Sequence, residues 1–127
     1  MPWDLDSKRS IYGQIIERIK SRIVTGTYPP GEKLPSVRDL AEEAGVNPNT
    51  MQRALSVLER TGVIYSQRTS GRFVTEDENM IRNLKEAAAE EAVETFLEKI
   101  RELGLDIQTV LSMIQKSAGG EDNERNI

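Results

Sequence analysis

Three stretches of helical apolar periodicity, separated by breaks rich in proline and glycine, are followed by two short extended runs around a four-residue turn. Together they predict an α+β fold that is mainly α, with a winged helix-turn-helix domain over residues 1–75. A composition shift at Glu76 begins two more amphipathic stretches, read as a two-helix C-terminal dimerisation segment over residues 76–117. The polar residues 118–127 are expected to be a disordered tail.

Trp3, Asp4 and Leu5 read as a short leading strand or an anchor. From Ser10, a candidate N-cap, Ile11, Ile15, Ile16, Ile19 and Ile23 recur at helical spacing, and Gly26 lies near the end. Isoleucine is only a fair helix former, so this helix depends on burying its stripe. Tyr28-Pro29-Pro30-Gly31-Glu32-Lys33-Leu34-Pro35 cannot continue a helix and reads as an ordered loop. Ser36 opens the second helix by accepting from the Asp39 amide, with Asp39 reaching back in a variant capping box. Val37, Leu40, Ala41 and Ala44 form the inner stripe, and Gly45 suits the left-handed turn that ends it.

Asn47 then caps a third helix that Pro48 starts, with Met51, Ala54, Leu55 and Leu58 inward and Gly62 as the stop. Two short helices joined through Gly45 and Val46 alone have the form of a helix-turn-helix, and Ala41 is small where they would cross. Residues 63–67 and 72–75 read as strands around a turn at residues 68–71. A hairpin placed directly after such a helix pair is a wing.

Beyond Glu76, Met80, Leu84, Ala88, Ala92, Phe96, Ile100 and Leu103 describe a long helical stripe flanked by glutamates. Leu103-Gly104-Leu105-Asp106 reads as a stop and a new N-cap, and Ile107, Val110, Leu111 and Ile114 mark a shorter helix. Two helices of this size cannot bury both stripes on one another. They must pack on the winged domain or on a second copy, and a second copy would also present two recognition helices, so Leu84, Ala88, Phe96, Ile100 and Leu103 are the candidate homodimer contacts.

Composition removes several function classes. The chain has no cysteine and no histidine, so disulfides, cysteine–zinc sites and histidine-based nucleophilic or acid–base schemes are excluded. No carboxylate constellation supports an enzyme, and no cofactor or metal is expected. No run of 18 apolar residues could span a membrane, and the N-terminal residues do not read as a signal peptide, which fits a cytoplasmic setting. The net charge of −4 hides a division: residues 1–75 carry 11 Lys/Arg against 8 Asp/Glu, and residues 76–127 carry 6 against 13. Phosphate binding follows the local field rather than the total, so only the first segment is suited to double-stranded DNA.

Ile11-Tyr12-Gly13-Gln14-Ile15, the run from Tyr28 to Ala41, and Val46-Asn47-Pro48-Asn49-Thr50-Met51-Gln52-Arg53-Ala54-Leu55 with Leu58-Glu59-Arg60 resemble the GntR family of transcription regulators. Asn47-Pro48-Asn49-Thr50, with two helices after the wing, is similar to the YtrA-type subfamily. The resemblance implies DNA contact near the start of the second helix, at Ser36 and Arg38. It implies further contact from Asn47, Pro48, Asn49, Thr50, Gln52 and Arg53 at the start of the third, and from a wing around Gly71 with Arg68, Ser70 and Arg72. Helix N-termini offer free amides and a positive dipole to phosphates, which agrees with those positions. Capping alone would also account for Asn47 and Thr50, a plain surface role for Arg38, and helix initiation for Pro48. The wing departs from the family's usual Gly-x-Gly: Thr69-Ser70-Gly71-Arg72-Phe73 keeps only the second glycine and adds an arginine suited to phosphate or a minor groove.

The leading expectation is thus a sequence-specific regulator, a repressor, acting as a homodimer on an inverted-repeat operator. A winged module binding protein is the alternative, disfavoured by the polar, basic face of Arg38, Asn49, Gln52, Arg53, Arg68 and Arg72. The second segment is too short to enclose an ordinary ligand pocket, so an unknown small-molecule effector would sit between protomers.

Overall fold

A computed structural model describes residues 2–126, with side chains through residue 119. The element order is α1 (Ile11–Val24), α2 (Val37–Ala44), α3 (Pro48–Arg60), β1 (Ile64–Gln67), β2 (Gly71–Val74), α4 (Glu78–Glu102) and α5 (Ile107–Asn126). Two compact units are present, Met1–Ala88 and Ala89–Ile127.

Each of the first three helices buries the stripe expected of it. Ile15, Ile16, Ile19 and Ile23 of α1 meet Leu40, Ala41 and Ala44 of α2 and Met51, Ala54, Leu55 and Leu58 of α3 in one core. Burying a large aliphatic side chain contributes roughly 1.5–3 kcal/mol, which offsets the modest helix propensity of isoleucine. Ser10 accepts from the Gly13 amide at 3.4 Å and Ser36 from the Asp39 amide at 3.1 Å. The return bond from Asp39 is absent among the described residues. Gly45 ends α2 at φ 74°, with the Val46 amide donating to the Ala41 carbonyl. A β-carbon at Gly45 would lie 2.9 Å from Pro2 Cβ, so the leading segment and the helix-turn-helix turn can touch only because this residue is glycine.

That leading segment forms no strand; it is an anchor. Trp3 is buried, donates its amide to the Ala44 carbonyl and its indole N–H to Glu43, and lies against the Arg18 and Arg22 guanidinium groups. Burial pushes the Glu43 carboxyl up, but hydrogen bonds from Arg22 and Trp3 outweigh it and hold the group below its ordinary value.

β1 and β2 pair antiparallel from Ile64 with Val74 to Gln67 with Gly71. Residues 28–35 form the ordered loop the sequence suggests, and it joins the two-stranded hairpin through an isolated bridge. Lys33 bridges Phe73, Leu34 N–H donates to the Arg72 carbonyl, and Val74 N–H donates to the Glu32 carbonyl. Leu34 inserts into the core between them.

The boundary expected at residue 75 lies further on. Ile81 is buried in the first unit's core, with Met80 and Leu84 packed beside it, so the opening turns of α4 belong to that unit. Leu84, expected at a dimer interface, is thus partly occupied within its own chain. In the second unit Gly104 ends α4 at φ 74°, and Asp106 caps α5 by accepting from the Thr109 amide at 2.8 Å. Val110 is buried, while Phe96, Leu103, Ile107, Leu111, Met113 and Ile114 stand 40–71% exposed. α5 continues through Asn126, where the sequence suggested disorder from residue 118. Extending an existing helix adds one hydrogen bond per residue fixed and avoids nucleation, which composition alone does not register. Ile127 and the side chains from residue 120 lie outside the described residues.

Candidate nucleic-acid interface

The third helix separates its two faces cleanly. Met51, Ala54, Leu55 and Leu58 are buried, and Asn49, Gln52 and Arg53 are exposed on its opening turns. Asn47 and Pro48 set the start: Asn47 Oδ1 accepts from the Asn49 amide at 2.7 Å, and Pro48 stands where no amide hydrogen is needed. Capping therefore commits the Asn47 oxygen and leaves its amide N–H groups able to donate. Thr50 is half-buried, while Pro48 is exposed. Arg38 lies exposed on the first turn of α2, directly after the Ser36 cap.

Arg53 is held by a contact the sequence did not disclose. Its guanidinium lies 4.4 Å from the Tyr12 ring centroid, joining the exposed face of α3 to the start of α1. Such a contact contributes about 0.5–1 kcal/mol at an exposed site and restricts a long side chain before any partner arrives. The two residues are 41 positions apart, so no local pattern could pair them.

The wing differs from expectation in one respect. Arg68, Ser70 and Gly71 are exposed at its turn, where Ser70 N–H donates to the Gln67 carbonyl. Arg72 faces back. Its Nε lies 3.1 Å from Glu59 Oε1 on α3, and its side chain is only 22% exposed. Glu59 also accepts from the Ser66 hydroxyl, so one carboxylate ties both wing strands to α3. Tyr65 and Phe73 stack across the hairpin at 5.6 Å. Arg72 is thus a wing anchor, paired with Glu59 and largely covered. Glu59 was legible only as part of a family run; its two partners come from tertiary pairing.

The Ser66 hydrogen bond foremost, with Arg72 beside it, holds the Glu59 carboxyl below its ordinary value despite a smaller opposing effect of burial. A depressed carboxylate contributes stability above its unfolded pKa and loses it as pH falls through the folded value. Protection of the wing amides in hydrogen exchange should accordingly drop below about pH 4. Glu59→Gln should remove that dependence and weaken the wing at neutral pH by up to about 1 kcal/mol, the pair being partly solvent-screened. A wild-type protection profile that is flat through this range would disprove the anchor.

Among the described residues no cluster of carboxylates or histidines could hold a metal, and no helix is long and apolar enough to cross a membrane.

Comparison with known proteins bears on the same region. Residues 11–74 match the bacterial regulatory proteins of the gntR family. The chain is 37% identical over 103 residues to the HTH-type transcriptional repressor YtrA of Bacillus subtilis, covering 81% of this chain and 75% of that protein. A GntR family transcriptional regulator from Listeria monocytogenes has 40% identity and a TM-score of 0.78, covering 88% of this chain and 98% of its own. The crystal structure of AraR(DBD) in complex with operator ORX1 has 30% identity and a TM-score of 0.50, covering 59% of this chain and 92% of its own.

Proposed function

The chain belongs to the gntR family of bacterial regulatory proteins, and from that premise we propose that it is a homodimeric repressor that binds an inverted-repeat operator in double-stranded DNA. The observation that carries the reading is the exposed polar face of Asn49, Gln52 and Arg53 on α3, with Arg38 exposed at the start of α2. Such a face, set on a helix held rigidly by a buried opposite side, suits the major groove. The name of the YtrA relative supports repression, and the operator complex of the AraR domain supports DNA as the partner.

Dimerisation is supported by the second unit, where Phe96, Leu103, Ile107, Leu111, Met113 and Ile114 are all exposed. Two recognition helices would then address two half-sites about one helical turn apart. Repression would take place in the cytoplasm. A small-molecule effector, unidentified, would bind between protomers.

Salt dependence tests the reading against its protein-binding alternative. Four to six phosphate contacts per dimer predict a slope of about −4 to −5 in a plot of log affinity against log salt, despite the net negative charge. Duplexes enriched from a random pool supply the operator. A slope near zero, or no enrichment, would count against DNA as the partner.

A further inference from the structure

We infer that Lys33, in the loop before α2, is a phosphate-binding cation of the wing. The inference rests on the DNA-binding reading above and assigns a contact that neither the wing hairpin nor the helix-turn-helix contains. Three observations converge on it.

The backbone places Lys33 on the wing although 38 residues separate it from Gly71. Its bridge to Phe73 is locked on both sides by Leu34 N–H to the Arg72 carbonyl and Val74 N–H to the Glu32 carbonyl. Leu34 is buried, so the next residue is pinned and the lysine has a fixed origin.

The side chain crosses the wing's glycine. A β-carbon built at Gly71 would lie 3.0 Å from Lys33 Cε and 3.8 Å from Nζ. Gly71, at φ 107°, therefore does more than permit a turn: it leaves open the surface over which the lysine stem lies. DNA approaching the Gly71 backbone meets the Lys33 ammonium at once.

Charge pairing separates Lys33 from Arg72 and leaves it, with Arg68 at the turn, among the wing's exposed cations. Arg72 is neutralised by Glu59, whereas Lys33 is exposed and takes part in no ion pair among the described residues. An ammonium is a compact point charge on a flexible stem, suited to phosphate oxygens and poorly suited to bidentate base reading. The expected contact is thus with the backbone of either strand, independent of sequence.

Titration of Lys33→Gln and Lys33→Arg against the enriched operator and a scrambled duplex, each across a range of salt, tests this. Lys33→Gln should weaken both duplexes several-fold by the same factor. It should also reduce the salt slope by about one per protomer, and Lys33→Arg should restore it. Melting temperatures should match the wild type, since the ammonium makes no hydrogen bond or ion pair among the described residues. An unchanged slope for Lys33→Gln, or a loss confined to the operator, would overturn the assignment while the wild type still bound DNA. A wild type without salt-dependent binding would instead defeat the DNA reading itself, and this inference with it.

Discussion

Arg38→Ala should cost roughly tenfold to over a hundredfold in operator affinity per half-site, equivalent to about 1–3 kcal/mol for a lost base contact. The fold should be untouched, because Arg38 is exposed and has no hydrogen bond or ion pair among the described residues. Arg53→Ala should weaken binding comparably but with a small stability loss, since it also removes the stacking on Tyr12. Titrating each variant on operator and scrambled duplexes separates the roles: a base contact is lost on the operator alone, a phosphate contact on both. Ser36→Ala calibrates stability alone, since losing its cap to the Asp39 amide should cost about 1 kcal/mol, while any binding loss would report on Ser36 as a candidate contact. If both arginine variants bind the operator as the wild type does, the recognition surface lies elsewhere and a protein partner becomes the better reading.

The second large effect concerns assembly. Phe96→Glu combined with Ile100→Glu should convert dimers to monomers in light scattering. Both positions lie in the second unit, where Phe96 is 40% exposed and Ile100 is half-buried. Two buried carboxylates in an interface would each need a partner that apolar neighbours cannot supply. Monomers should also lose roughly a hundredfold or more in operator affinity, because the second half-site is then no longer held at high effective concentration. The winged unit should keep its melting behaviour, since its core is made within residues 1–88. A doubly substituted protein that remains dimeric would place the interface elsewhere. Leu84→Glu is not an equivalent probe: that side chain packs partly against the core of its own chain, so unfolding and dissociation would be confounded.

Much of the winged unit was legible because its signals are local. Ser10, Ser36, Asn47 and Asp106 each cap the helix expected from a short polar side chain set before an apolar period. Gly45 and Gly62 mark helix ends by positive φ, and every stripe residue assigned to the core of α1 and α3 from residue 15 onward is buried. The family resemblance was likewise carried by contiguous runs, from Ile11-Tyr12 to Leu58-Glu59-Arg60. What was not legible is of another kind. The bridge at Lys33 requires pairing with a hairpin some forty residues later, and its own run of prolines and glycine gives no period-two signal. The ion pair of Arg72 was hidden because Glu59, thirteen positions earlier, is on the helix that faces it only after folding.

By itself, then, the sequence determined where helices begin and end, which of their faces turn inward, and which family the chain resembles. Caps, turns and amphipathic periods are decided within a few residues by backbone hydrogen bonding and side-chain spacing. Only the tertiary structure decided which charges stay available to a partner. It joined Arg72 to Glu59, seated Arg53 on Tyr12, carried Lys33 across Gly71, and kept the start of α4 with the winged core. The physical reason is that a charge is worth what its neighbours make it, and those neighbours come together through long-range packing that no local pattern encodes.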